Sequence, residues 1–242
     1  MGGSESPPAS ATLYRDRIDA GVVGHAAAKA RLAEVLHGFV ERTRPRHVLV
    51  LGPPGCGKGT IGRTLCAGVA PLPSLYLAHA DELANAFAAL PPAGTLVFIK
   101  NVDHLCRDAQ KLESWVAEAG RVGSTVVASA ALSVTAVGLE LLFDEVFEID
   151  ALTKREIEGA LLHPNGLVMQ VLGQSAKRGL SVIFLPDAKR AIADAAAVSG
   201  RGMNFLRAFS AALTRALPGT QRGDWLLDRE VAGAILRDLD AA

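Results

Sequence analysis

Residues 47–60, HVLVLGPPGCGKGT, place an apolar run directly before a glycine-rich loop and a helical pattern. A strand that leads through such a loop into a helix presents backbone N–H groups and the positive end of the helix dipole to a phosphate chain. Lys58 adds a positive charge near the outer phosphates. The spacing from Gly52 to Gly57-Lys58 therefore predicts a nucleotide site, and the alternative is a loop kept only for its fold.

The composition indicates a soluble globular protein. Its 242 residues are 50% hydrophobic, which is enough to bury the core of one large domain or two small ones. The 25 Lys and Arg balance the 25 Asp and Glu, so net charge favours neither nucleic acid nor an anionic membrane as a partner. No apolar run approaches the ~20 residues of a membrane span, and we expect no membrane contact.

The cysteines and histidines predict neither a disulfide framework nor a metal site. The three cysteines, Cys56, Cys66 and Cys106, form no C-x-x-C pair. They are typical of reduced thiols, so we expect a cytoplasmic protein. The six histidines show no i,i+4 pair with metal-ligand spacing.

Strand and helix patterns alternate up to about residue 153. Five apolar runs predict strands, at 47–51, 75–78, 95–99, 124–129 and 146–149. Helical patterns separate them, which favours an α/β fold with a parallel five-stranded sheet covered on both faces. Only helical patterns are predicted beyond that point, the last at 228–239. We therefore expect a flexible leader at 1–12, a nucleotide-binding α/β domain at 13–153 and a small all-α domain at 154–242.

The order of these pieces resembles the AAA+ ATPases, and in several places the RuvB family of Holliday-junction branch-migration motors. The segment Gly21-Val22-Val23-Gly24-His25 resembles the family's segment that wraps the adenine. The stretch at 47–60 resembles its first strand and Walker A loop, and Ser199 to Leu206 its sensor-two helix. The resemblance implies a P-loop NTPase sheet of AAA+ type, a helical lid, and ATP or ADP as the nucleotide. The nucleotide-binding residues it implies are Val22, Val23, Gly52, Pro53, Pro54, Gly55, Cys56, Gly57, Lys58, Gly59, Thr60 and Ile61.

The resemblance also implies partners. AAA+ proteins assemble as homo- or hetero-oligomers, so we expect other protein subunits as partners. DNA is a partner by resemblance only. The branch-migration motors carry a DNA-binding winged helix after the lid, and we expect none here because no counterpart is found before Ala242.

A rival interpretation comes from the order Gly57-Lys58-Gly59-Thr60, which nucleoside monophosphate kinases also use. Those kinases place the loop very near the N-terminus and follow it with arginines that clamp phosphates. Here about fifty residues precede the loop, and residues 71–85 contain no arginine. A phosphotransferase of this kind is therefore a second alternative.

The residues that should hold the metal differ from the family pattern. AAA+ hydrolysis uses a paired Asp-Glu after the third strand to bind Mg²⁺ and polarise water. Here those positions are Lys100-Asn101, a degenerate Walker B site. A charged lysine cannot coordinate a cation, and asparagine cannot accept a proton from water. We expect Asp103 to cap the next helix rather than bind metal, and His104 to be exposed.

Other hydrolytic positions are also altered. The polar sensor after the fourth strand falls at Ala130 or Ala131, and the arginine finger falls near residues 140–143, where there is no arginine. Phe205 stands where the sensor-two arginine is usual. Gly59 follows Lys58, so the metal-binding hydroxyl comes one position late, at Thr60.

We therefore expect a pseudo-ATPase that acts as a structural or regulatory subunit in DNA recombination, replication or repair. No catalytic residue and no metal ligand is assigned, and Mg²⁺ is a cofactor by resemblance only, because its usual carboxylates are missing. A cation at Lys100 standing in for the metal is a further hypothesis. The alternative is an active ATPase or DNA motor with atypical residues.

Overall fold

The computed structural model describes residues 9–43, 46–132, 138–164, 166–219 and 222–240. Its internal contacts divide the chain into two compact units. One comprises Met1–Pro53 with Gly57–Asp150, and the other comprises Pro54–Cys56 with Ala151–Ala242. Each unit is described by itself.

The first unit is built on a five-stranded parallel sheet in the order β2-β3-β4-β1-β5. Its strands are Val48–Leu51 (β1), Ser74–Leu77 (β2), Leu96–Ile99 (β3), Thr125–Ala130 (β4) and Glu145–Glu148 (β5). Its helices are Ala9–Asp19 (α1), Ala26–Val40 (α2), Lys58–Gly68 (α3), Ala80–Ala88 (α4), Val102–Leu105 (α5) and Ala109–Arg121 (α6). A 3₁₀ turn at Leu139–Leu142 precedes β5.

The three central strands carry the core of this unit. Every residue of β1, β3 and β4 is buried, as expected for parallel strands covered on both faces. In register, Leu51 pairs with Ala130, and Ile99 pairs with Ala128. The predicted α/β fold with a five-stranded parallel sheet is confirmed.

The first helix begins inside the segment that we expected to be a leader. Helix α1 starts at Ala9, three residues before the expected end of the leader at residue 12. Tyr14 and Ile18 lie one turn apart on this helix and are both buried, so the apolar face of the helix packs in the core. Residues 1–8 lie outside the described residues.

Helix α3 lies unusually close to the sheet. A Cβ added at Gly62 would stand 2.3 Å from two ring carbons of Phe98, so only glycine permits this approach. Phe98 lies on β3, is fully buried, and stacks on Tyr76 of β2 with ring centroids 5.4 Å apart. The start of α3 is therefore positioned by a glycine against two stacked rings.

The second unit contains helices and a small sheet. Its helices are Lys154–Leu161 (α7), Leu167–Lys177 (α8), Pro186–Ser199 (α9), Gly202–Ala216 (α10) and Arg229–Asp240 (α11). The start of α7 is fixed by a capping box, in which the Thr153 hydroxyl accepts from the Glu156 N–H and the Glu156 carboxylate accepts from the Thr153 N–H.

The expectation that this second part is all-α is wrong. Leu180–Phe184 (β6) and Gly223–Leu227 (β7) form a parallel two-stranded sheet, with Leu180 opposite Gly223 and Phe184 opposite Leu227. Trp225 lies in β7, before the predicted last helix at 228–239. Pairing between segments so far apart in sequence stabilises strands that local patterns do not predict.

The contact between Gly62 and Phe98 predicts the effect of one added methyl group. Replacing Gly62 with alanine is expected to lower the free energy of unfolding by about 1–3 kcal/mol, because a buried ring must move. Gly68→Ala is the matched control, since a Cβ there would lie 3.9 Å from Leu36, an ordinary contact. Urea denaturation checks both, and equal stability of the two variants would contradict the close approach.

His47 precedes β1 and links it to two neighbouring segments. Its Nδ1 accepts a hydrogen bond from the Val126 N–H at 3.1 Å, and its own backbone N–H donates to Asp144 Oδ2 at 2.7 Å. Burial lowers the pKa of the His47 imidazole, and the nearby Asp144 carboxylate only partly opposes this effect. The folded protein therefore favours the neutral ring.

This lowered pKa predicts a loss of stability in acid. His47 contributes stability above its unfolded pKa of about 6.5, and loses it as the pH falls through the lower folded pKa. His47→Asn keeps an acceptor without a titrating ring, so its free energy of unfolding is expected to change less between pH 7.5 and pH 5.5 (both chosen as roughly bracketing that value). The free energy of unfolding of both proteins, measured across this pH range, checks this, and an equal change in the two proteins would refute it.

Candidate nucleotide site

The glycine-rich loop connects β1 to α3 with the geometry expected of a phosphate-binding loop. Gly52 leaves β1 and its N–H donates to Ala130 O at 3.2 Å, which extends the pairing with β4 by one step. Gly57 has a φ of 104°, a conformation that favours glycine, and precedes the first residue of α3. Because the first N–H groups of a helix lack intrahelical acceptors, the start of α3 can donate to an anion.

Lys58 is the first residue of this helix and is held along the loop. The residue is 8% exposed, and its Nζ donates to Pro53 O at 2.9 Å and also to Gly52 O. The Lys58 side chain thus points back toward the loop that precedes α3. Its ammonium group is positioned by carbonyl oxygens, which places a fixed positive charge at the candidate phosphate site.

The segment before α2 lies near the same loop. Val22 is buried, and its carbonyl oxygen accepts from Lys29 Nζ at 3.2 Å. Lys29 also pairs with Asp19, so this turn is held by a buried lysine. A Cβ added at Gly57 would lie 3.9 Å from His25 Nε2. The structure therefore places His25 beside the loop, and the expected nucleotide contacts of Val22 and Val23 stay a prediction.

Lys100 and Asn101 directly follow β3 at the carboxyl edge of the sheet, where ligands of parallel sheets bind. The Lys100 N–H donates to Leu77 O at 2.8 Å, and the Asn101 N–H donates to the Ser129 hydroxyl at 3.0 Å. Asn101 has a φ of 50°. Hydrogen bonds thus hold both backbones directly after β3, and the assignment of these residues to a degenerate Walker B site stays a prediction.

The expectation that Asp103 caps the following helix is wrong. Asp103 lies inside the four-residue helix α5, and its Oδ2 accepts from the Ala131 N–H at 3.2 Å. Asp108 caps α6 instead, by accepting from the Lys111 N–H. The carboxylate of Asp103 therefore secures the end of β4. His104 is exposed, as expected.

The sensor and finger positions offer no polar group to a phosphate. Ser129 is fully buried and its hydroxyl holds Asn101, while Ala130 and Ala131 follow it. Leu141 is 85% exposed in the 3₁₀ turn where an arginine finger is usual. In the second unit, Phe205 is buried on α10 and Arg207 of the same helix is exposed.

Sequence reasoning missed Tyr76 and Arg63. The Tyr76 hydroxyl donates to Gly59 O at 3.3 Å, and the Arg63 guanidinium lies 5.6 Å from the Tyr76 ring centroid. Both contacts join β2 to α3. A tyrosine near the carboxyl end of a parallel strand was the available signal, but its partner could not be inferred from spacing alone.

The residues present do not fit Mg²⁺. This ion prefers octahedral oxygen ligands, usually including one or two carboxylates. The carboxylate position holds Lys100, and the hydroxyl position in the loop holds Gly59. In the described parts of the chain, no group of three or more His, Cys, Asp or Glu side chains could hold a metal ion. The assignment of nucleotide contacts to the loop residues stays a prediction.

Comparisons with known proteins match the first unit most fully. A family model described as the Sigma-54 interaction domain matches residues 23–154, which is more than half of the chain. A protein of Bifidobacterium adolescentis described as Holliday junction branch migration complex subunit RuvB is 32% identical over 110 residues, covering 43% of this chain and 30% of the relative. A protein of Saccharopolyspora erythraea with the same description is 29% identical over 134 residues, covering 54% of this chain and 37% of the relative.

The matched segments span well under half of each relative's own length. Among the helices that the structure describes, none has both the length and the apolar character needed to cross a membrane.

The position of Asp103 predicts that its role is structural. Asp103→Ala leaves the Ala131 N–H without its acceptor and is expected to lower the free energy of unfolding by about 1–3 kcal/mol. Asp103→Asn keeps an oxygen acceptor and is expected to retain stability and nucleotide affinity. Denaturation and nucleotide titration check this pair. A metal-dependent loss of affinity in Asp103→Asn would instead assign Asp103 to a metal.

Proposed function

This chain belongs to the Sigma-54 interaction domain family of AAA+ ATPases, and from that membership we propose that it binds ATP or ADP without hydrolysing it. It acts as a structural or regulatory subunit of a larger assembly. The loop at 52–60 makes the phosphate contacts, and Lys58 and the start of α3 supply the positive charge there.

The single observation that carries this proposal is the pair Lys100-Asn101 at the carboxyl end of β3. Hydrolysis needs a base or an orienting group for water and an acceptor for the metal. At the position of the metal ligand, Lys100 offers a positively charged donor in place of an acceptor, and Asn101 is a poor base. The backbone hydrogen bonds of both residues at the end of β3 support the register that assigns Lys100 and Asn101, rather than Asp103, to these positions.

Two more features of the first unit support the loss of hydrolysis. Ser129 is fully buried, and its hydroxyl oxygen accepts from the Asn101 N–H, so this side chain is not presented to a ligand at the surface. Leu141 stands exposed where a neighbouring subunit would receive an arginine finger, a group worth several orders of magnitude in rate. Each change removes a different contribution to transition-state stabilisation.

A nucleotide-binding domain that does not hydrolyse its nucleotide is suited to a role as one subunit of an assembly. The relatives are described as subunits of a Holliday junction branch migration complex. We extend this to a place among protein subunits in DNA recombination, replication or repair. The balanced charge of the chain supports protein partners more than a direct DNA contact.

The experiment must distinguish this proposal from its alternative, an active ATPase with atypical residues. The kinase alternative loses support, because the family match runs from residue 23 through the loop to residue 154, including the segment that precedes the loop.

The proposal predicts nucleotide binding without turnover. Purified protein is expected to bind a fluorescent ADP analogue, and Lys58→Ala is expected to weaken that binding at least about tenfold, since a charge-assisted contact is lost. Lys177→Ala is the matched control, because Lys177 is an exposed lysine at the end of α8.

Phosphate release, measured with malachite green, is expected to remain at background in both variants and in the parent protein. Turnover that Lys58→Ala abolishes and Lys177→Ala preserves would overturn the loss of hydrolysis. Production of ADP that depends on added AMP would restore the kinase alternative.

A further inference from the structure

The side chain of Lys100 lies against the loop at the position where a metal-binding hydroxyl is usual. A Cβ added at Gly59 would lie 3.7 Å from Lys100 Cε and 3.8 Å from Lys100 Cδ. The stem of Lys100 thus reaches across from β3 to the first turn of α3. It lies beside the space that a serine or threonine side chain at position 59 would fill.

Tyr76 limits that space from a second side. The same added Cβ would lie 3.3 Å from the Tyr76 hydroxyl oxygen, which is closer than an ordinary van der Waals contact. Tyr76 is held by stacking on buried Phe98 and by its hydrogen bond to Gly59 O. A hydroxyl-bearing residue at 59 would therefore require a small shift of the Tyr76 hydroxyl and would contact the stem of Lys100.

Thr60 does not supply the missing ligand by simple substitution. It is one residue further along α3, which rotates its side chain by about 100° around the helix axis. Asp103, the nearest acidic residue after Lys100, uses its Oδ2 to accept from the Ala131 N–H, and its side chain is only 9% exposed. Its Oδ1 is buried and has no hydrogen-bond partner among the described residues. Neither Thr60 nor Asp103 therefore stands at positions 59 and 100, where the usual metal ligands are expected.

The charge on Lys100 is not neutralised by a neighbouring carboxylate. Among the residues that the structure describes, no Asp or Glu forms an ion pair with it. The lysine is half-buried. Because like charges repel and opposite charges attract, this ammonium repels a divalent cation and attracts a polyphosphate.

We infer that Lys100 takes the place of the metal, so that this chain binds a nucleoside di- or triphosphate free of Mg²⁺. A carboxylate with bound Mg²⁺ carries a net charge of plus one, and a lysine ammonium carries the same charge. The electrostatic attraction for phosphate is kept, while the ion that would activate a water is not recruited. This inference rests on the proposed function, because it specifies which form of the nucleotide occupies the proposed site.

The test is a titration of purified full chain with a fluorescent ADP analogue, once with excess EDTA and once with excess MgCl₂. Affinity in EDTA is expected to equal or exceed affinity in MgCl₂. Lys100→Gln removes the charge and leaves a polar side chain that is one atom shorter, and is expected to weaken binding in EDTA by about tenfold, as for loss of a hydrogen bond to a charged group. Lys177→Gln is the matched control and is expected to change neither affinity.

Lys100→Asp reverses the charge and is expected to bind more tightly in MgCl₂ than in EDTA. Circular dichroism melts establish that each variant is folded, and the parent protein alone already decides the dependence on Mg²⁺. Binding that requires MgCl₂ in the parent protein would overturn this inference and leave the proposed function standing. Metal-free binding that Lys100→Gln does not weaken would overturn the role of Lys100, and no binding in either buffer would overturn the proposed function itself.

Discussion

The parallel pairing of β1, β4 and β3 determines where every group of the candidate site lies. These strands are adjacent and point the same way, so the segments after Leu51, Ala130 and Ile99 leave the sheet at the same edge. The loop, the sensor position and Lys100-Asn101 are brought together for this reason. A substitution at the end of one strand therefore affects the loop that follows a neighbouring strand. The Gly52 N–H after β1, for example, donates to Ala130 O at the end of β4.

Within this arrangement, the proposed site combines a loop for phosphate with side chains at the strand ends. The proposed phosphate contacts depend on the backbone of the loop and on Lys58, which two loop carbonyls position. At the strand ends, the Ser129 hydroxyl accepts from the Asn101 N–H, and Asp103 Oδ2 accepts from the Ala131 N–H. Both side chains therefore support the backbone at the edge of the sheet where the site is proposed.

Much of the first unit could be predicted from the sequence because its signals are local. Buried parallel strands appear as short continuous apolar runs, and the loop has a fixed spacing, so β1, β3 and Lys58 were all located correctly. Asp103 was misplaced because a capping rule considers near neighbours, whereas its actual acceptor role reaches 28 residues along the chain. Strands β6 and β7 were missed for the same reason, since each is stabilised by a partner distant in sequence. The contact of Tyr76 with Gly59 likewise depends on how a helix packs on a sheet.

The crowding around Gly59 couples one loop position to side chains on two strands. A Cβ at position 59 would lie 3.3 Å from the Tyr76 hydroxyl oxygen, and Tyr76 in turn stacks on the buried Phe98. The stem of Lys100 lies beside the same position. A substitution at position 59 would therefore be transmitted to the aromatic rings on which α3 packs, so the composition of the loop and the packing of the helix on the sheet constrain each other.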